Sequence, residues 1–193
     1  EQAAHHYRQA LALVEQSGAN EDLKGVALSK WGALLERRGL GTEAVKVLRE
    51  ALAIQERIHG AHDLRIFYTK TRLAGAYTSS DRLDDAVAID RQLLEERRAM
   101  FGENHPMVLN AMTNAVASLT AAGMYSEALP LAERALALAE SNTDVRSRNT
   151  GAELTNLSQL LFFSGRYVEA EALATQAVAA LEAAIAPNPL KKH

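Results

Sequence analysis

The sequence predicts an all-α fold, about nine antiparallel helices stacked as a right-handed α-α superhelix. Three observations lead there. Turn residues recur at a fixed interval, with Gly39, Asp81, Gly123 and Gly165 each 42 positions from the last. Alanines keep that step at Ala44, Ala86, Ala128 and Ala170, as do the pairs Ala51-Leu52, Leu93-Leu94, Ala135-Leu136 and Ala177-Val178. Proline is scarce (four) and aromatics make up 5%, a composition that favours helices over strands. A period of this length marks stacked units, none of which buries its apolar face alone.

Residues 1–19 open the series. "EQAAHHYRQALAL" parallels "TEAVKVLREALAI", with Ala3 matching Ala44 and Arg8-Gln9-Ala10-Leu11 matching Arg49-Glu50-Ala51-Leu52. This segment is expected to be a second helix whose first-helix partner is missing, as in an array cut from something longer or capped by a partner. Four helix pairs follow, in repeats 20–60, 61–102, 103–144 and 145–186, with a tail at 187–193, all in one solenoid over 1–193. In the third repeat Met107–Ala122 is the expected first helix and Ser126–Glu140 the second. Val108, Met112, Ala115, Val116 and Leu119 recur at the helical spacing one buried face requires. Gly123 stops the first helix by taking a left-handed conformation. Thr42, Asp84 and Ser126 are expected N-caps of the second helices, and Val168 a weaker one. The alanine that follows lets two helices approach closely.

Composition removes several functions. A net charge of −3 argues against general nucleic-acid binding, which needs a basic surplus. Without cysteine there is no disulfide, thiolate metal site or cysteine nucleophile, and a reducing, cytoplasmic location is expected. No apolar run approaches the ~20 residues of a membrane span. His5, His6, His59, His62, His105 and His193 show no set of three or four ligands at metal spacing. Phosphate loops, nucleophile elbows and HExxH are absent. A non-enzymatic chain without cofactor or metal is expected.

Several stretches resemble the tetratricopeptide family in its long-repeat, kinesin-light-chain-like form. They are Asn156-Leu157, "GRYVEA" at Gly165–Ala170, Ala51-Leu52-Ala53-Ile54, and "GENHP" at Gly102–Pro106. Asp81 departs from the turn glycine, and "GAHD" at Gly60 is one residue shorter than "GENHP". The period also falls in the range of about 40–47 residues of HEAT and armadillo units, which makes HEAT the alternative fold. The short glycine turn with Glu-Ala after it favours the tetratricopeptide form.

The 42-residue register places four columns on the inner face of the superhelix. One is Ser29, Thr71, Thr113 and Thr155; the next is Lys30, Arg72, Asn114 and Asn156; a third is Ala33, Gly75, Ala117 and Gln159. Tyr68, Asn110, Arg37, Phe162 and Phe163 extend it. The hydroxyls suit either back-bonding to their own helix carbonyls or ligand contact. In the family that the chain resembles, first-helix asparagines bond the backbone of a bound peptide, which implies that role for Asn114 and Asn156. Lys30 and Arg72 put cations in the same column, and a guanidinium can hold a carboxylate in a two-pronged fork. The expected partner is a protein or peptide, a neutral to acidic extended segment in the concave groove, and neither nucleic acid nor membrane. Alternatives are a regulatory region of a larger bacterial protein that clamps its own effector domain, and a module that self-associates through the array ends.

Overall fold

Four turns with the same hydrogen bond organise the chain in the computed structural model, which describes residues 9, 21–60, 63–141 and 148–185. In each turn an amide donates to the carbonyl five residues back. Leu40 N bonds Leu35 O at 3.0 Å, and Arg82 N–Tyr77 O, Met124 N–Leu119 O and Arg166 N–Leu161 O are 2.9 Å. This closure requires left-handed backbone just before the donor. Gly39 (φ 73°), Gly123 (73°) and Gly165 (79°) adopt it freely, and Asp81 adopts it at φ 60°. An aspartate tolerates this region but carries a Cβ penalty that glycine lacks. Asp81→Gly is therefore expected to raise unfolding free energy by about 0.5–1 kcal/mol, measured by urea unfolding. A loss of stability would show that Asp81 does more than supply the turn.

The described helices are α1 (Glu21–Arg37), α2 (Gly41–His59), α3 (Leu64–Ser79), α4 (Leu83–Phe101), α5 (Pro106–Ala121), α6 (Tyr125–Ser141), α7 (Arg148–Phe163) and α8 (Tyr167–Ile185). They read as four first-and-second pairs, and no strand occurs among the described residues. Apart from Gln9, which is helical, the expected helix over 1–19, the tail 187–193 and the linker residue His62 lie outside the described residues.

The N-caps differ from those expected. Thr42, Asp84 and Ser126 each stand second in their helices, which begin at Gly41, Leu83 and Tyr125. The residue that closes the preceding turn also starts the next helix: Leu40 O, Arg82 O, Met124 O and Arg166 O accept from Ala44, Ala86, Ala128 and Ala170 N. Leu40, the N-cap of α2, makes no side-chain cap bond. Val168 stands second in α8 too, so the weaker cap expected there has no structural basis. Side-chain caps appear on first helices instead. The Asp63 carboxylate accepts from Arg65 N at 2.8 Å to open α3, and His105 Nδ1 accepts from Met107 N at 3.1 Å to open α5.

The chain divides into two compact units, residues 1–96 and 97–193. In the first, α1 packs on α2, and α3 on both. One cluster joins Leu35, Ala44, Val45, Leu48, Leu73, Ala76, Tyr77 and Ala86. Gly41 permits a close approach: a Cβ there would stand 2.9 Å from the backbone at Ser79 and Ser80. Below the cluster, Lys70 Nζ on α3 pairs with Glu96 Oε1 on α4 at 2.9 Å, both side chains largely buried. In the second unit α5 packs on α6, α7 on both, and α8 on α7. Val108, Met112, Leu119, Leu154 and Leu160 form its core. Ala44, Ala86 and Ala128 are wholly buried and Ala170 nearly so, the close-packing role their spacing implied.

Candidate functional site

On the first unit the faces of α1 and α3 bring together Lys30, Tyr68, Arg72 and Glu36. Tyr68 is exposed, with Lys30 Nζ over its ring at 4.6 Å from the centroid and the Arg72 guanidinium at 5.8 Å. Two cations approach one aromatic ring, a favourable contact for each. Arg72 already holds a carboxylate: its Nη1 is 3.3 Å from Glu36 Oε2. Lys30 makes no ion pair among the described residues. Beside it a cavity of about 230 Å³ is lined by Val26, Ser29, Lys30, Leu64, Arg65 and Tyr68, among others. Thr71 lies half-buried beyond, its hydroxyl donating to Phe67 O at 2.9 Å.

A polar network closes the lower edge of that cavity. Arg65 donates to Asp22, to Asp63 and to His59 Nδ1, the last at 2.9 Å. Because a guanidinium can only donate, Nδ1 must accept, so Nε2–H donates to Asp22 Oδ1 at 2.6 Å. The hydrogen bonds from Arg65 hold the Asp63 carboxyl well below the usual carboxylate range. His59 is thus a bonded member of a helix-end network. Among the described residues no three His, Asp or Glu groups are placed to hold a metal ion.

On the second unit the corresponding face comes from α5 and α7. Asn110 is exposed, and Asn114 and Asn156 are half-buried. The hydroxyls of Thr113 and Thr155 donate back to Leu109 O at 2.9 Å and Gly151 O at 2.8 Å. Thr113 also hydrogen-bonds the Glu153 carboxyl, which is 4% exposed. Burial pushes this carboxyl above its ordinary value of 4.5, against the opposing hydrogen bonds from Thr113 and Asn156. An acid whose folded pKa is raised contributes its stability in full below pH 4.5, and loses it as pH rises through the folded value. A pocket of about 390 Å³ opens beside Asn156, lined by Ala117, Ala121, Tyr125, Gln159 and Phe163, among others.

The hydroxyl column has a partner that the repeat did not announce. Ser29 Oγ meets Thr69 Oγ1 at 2.7 Å in the first unit, and Thr113 meets Glu153 in the second. Both pairs span the same 40 residues between neighbouring first helices. The partner column reads Ala27, Thr69, Ala111 and Glu153, with no common chemistry to reveal it. Arg37 is exposed at the end of α1. Phe162, Phe163 and Tyr167 are exposed on α7 and α8, stacked edge-on around an apolar pocket of about 680 Å³.

Residues 23–95, 65–141 and 118–183 each match the tetratricopeptide repeat profile. The chain belongs to the tetratricopeptide repeat family. That decides between the two helical-repeat forms left open by the period. The Arabidopsis thaliana protein KINESIN LIGHT CHAIN-RELATED 2 is 29% identical over 118 residues, 61% of this chain and 18% of its own length. The tetratricopeptide chain therefore spans under a fifth of that relative. The kinesin light chain nearly identical TPR-like repeats of Podosopora anserina superpose with a TM-score of 0.80 at 20% identity, over 96% of this chain and 89% of theirs. A Rap protein complexed with Competence and Sporulation Factor superposes with a TM-score of 0.72 at 20% identity, over 93% of this chain and 49% of its own. These likenesses carry the all-α solenoid class, with kinesin-light-chain-like repeats. No described helix is long and apolar enough to cross a membrane.

Proposed function

We propose that this tetratricopeptide chain is a non-enzymatic protein-interaction scaffold whose first-helix faces form a concave groove for a neutral to acidic extended segment. The observation that carries the reading is Lys30, a cation on an exposed ring that pairs with no carboxylate among the described residues, beside an open cavity. An acidic side chain of a partner completes that ion pair without displacing one. Arg72 is less available, because Glu36 occupies it. Asn110 and Asn114 offer amides with no hydrogen-bond partner among the described residues, and an amide both donates and accepts as a peptide unit requires. Asn156, Thr71, Thr113 and Thr155 complete the set, Thr71 and Thr155 as acceptors since their protons are spent on the helix. The Rap protein solved with Competence and Sporulation Factor supports binding by this fold. A cytoplasmic location accords with the reading.

Affinity capture from source-cell lysate tests it, with wild type beside a Lys30→Glu, Asn114→Ala variant of confirmed helicity. A protein held by the first and lost by the second is the expected result. Equal capture by both moves binding off these faces. The second reading, self-association through the array end, rests on the exposed Phe162, Phe163 and Tyr167. Capture of the chain's own copies alone favours it.

A further inference from the structure

A second cavity of the first unit shares no residue with the groove. It holds about 610 Å³ between α2 and the turn that leads into α4. Its α2 wall runs through Thr42, Val45, Lys46, Arg49 and Glu50, whose spacing of three and four residues puts them on one face of the helix. Ser80 and Arg82 of the turn line the other side. Val45 is buried, while Thr42, Lys46, Arg49 and Arg82 are exposed.

Charge here is not compensated from within. Glu50 is engaged by Lys24, with Oε1 2.9 Å from Nζ. Arg82 is engaged by Asp85, whose Oδ2 accepts from Nε at 2.7 Å and lies 2.6 Å from Nη2. The same guanidinium lies over the Tyr77 ring at 4.4 Å, which holds its plane in place. Two of its five N–H groups face Asp85, and three remain to donate. Lys46 and Arg49 make no ion pair or hydrogen bond among the described residues, and the Thr42 hydroxyl has no partner there either. The cavity therefore presents two unmatched positive charges on a chain whose net charge is −3. Stacking does not ask for them. At the 42-residue step Lys46 gives way to Ala88, Pro130 and Ala172, and Arg49 to Arg91, Glu133 and Thr175. No other repeat sets a lysine and an arginine side by side on this face.

We propose that this cavity is a binding site for a phosphorylated serine or threonine of a partner protein, separate from the groove. A phosphoryl group carries about −1.5 to −2 charge near pH 7 and three acceptor oxygens. That charge matches Lys46 and Arg49 together, whereas a carboxylate leaves one of them unmatched. The oxygens meet the Lys46 ammonium, the Arg49 fork, the remaining N–H groups of Arg82 and the Thr42 hydroxyl. Glu43, Asp81 and Asp84 are exposed and flank the lining residues in the chain. These acids repel a broad anionic surface, such as a bilayer or a nucleic-acid backbone, and leave room for one compact anion on a side chain. Binding here needs neither Lys30 nor the asparagine column, so it stands apart from the groove reading.

NMR titration of the full 193-residue chain tests this, with capped alanyl-phosphoseryl-alanine as the probe. The backbone signals of Thr42, Lys46, Arg49 and Arg82 are expected to move together. The seryl and glutamyl versions of the peptide should bind about tenfold or more weakly, since they lack the second charge. The variant Lys46→Gln, Arg49→Gln should weaken phosphopeptide binding by about tenfold or more, the loss of charge-assisted hydrogen bonds. A control, Arg57→Gln, Arg134→Gln, removes the same net charge from two exposed positions elsewhere and should change affinity by less than about twofold. All four side chains are exposed, and urea midpoints of both variants confirm that the fold is kept. Equal weakening by both variants, or signals that move at Lys30 and Tyr68 instead, overturns the site. A glutamyl or seryl peptide that binds as well as the phosphopeptide overturns the phosphoryl assignment. Inorganic phosphate that binds as tightly as the peptide makes this a site for a free anion. Phosphatidylserine vesicles that move the same signals more than the peptide does put a membrane in its place. Either result overturns the phosphorylated partner.

Discussion

Replacing Glu96 by alanine is expected to lower unfolding free energy by about 3–5 kcal/mol, read from urea unfolding. The loss does not measure the strength of the Lys70–Glu96 attraction. Both side chains are largely buried, at 6% and 18% exposure, and alanine would strand an ammonium that pairs with no other carboxylate among the described residues. Glu96 also accepts from Gln92 at 2.7 Å, a bond that disappears with it. The double variant Lys70→Met, Glu96→Leu is expected to recover most of the loss, since neither apolar side chain needs a partner. A double variant as unstable as the single one would mean that the pair is needed for packing geometry.

Phe67→Ala is expected to cost about 3–5 kcal/mol, while Tyr68→Ala, one residue on, costs under about 1 kcal/mol. Phe67 is 1% exposed and among the largest fully buried side chains, so its removal opens a cavity between packed helices. Tyr68 is 39% exposed and lies beside two cations at the rim of a cavity. Successive residues of α3 thus serve different ends, one holding the core and one lying exposed on the proposed groove face. Comparable losses at both positions would place Tyr68 in the core and weaken the groove reading, and the denaturant midpoints of the two variants decide it.

What the sequence makes legible follows from what stacking imposes on every unit. Turn residues, buried alanines and the apolar stripe recur because each pair repeats the same reversal and the same close contact. The residues that start the second helices escaped notice, because Leu40, Arg82, Met124 and Arg166 share a backbone role and no side-chain chemistry. The same limit applies to the site. Lys30, Arg72, Asn114 and Asn156 stand out as a column, but their neighbours Glu36 and Glu153 sit on adjoining turns where the repeat carries no pattern. Glu36 decides which cation already holds a carboxylate, and Glu153 takes a hydrogen bond from the hydroxyl column. Gly41 likewise looks like one more glycine in "GLGTEA" until Ser79 and Ser80 are seen against it.

The four backbone closures between first and second helices have a kinetic consequence. Each joins groups only five residues apart in the chain, so the loop that must be closed is short and its entropy small. The helix pairs therefore assemble from contacts that are near neighbours along the polypeptide, the condition under which folding is fast. A pair leaving the ribosome carries within itself the instruction to double back, before the next has been made. Growth of the array by duplication then needs no new folding information: each added unit brings its own hinge, and the order of synthesis becomes the order of assembly.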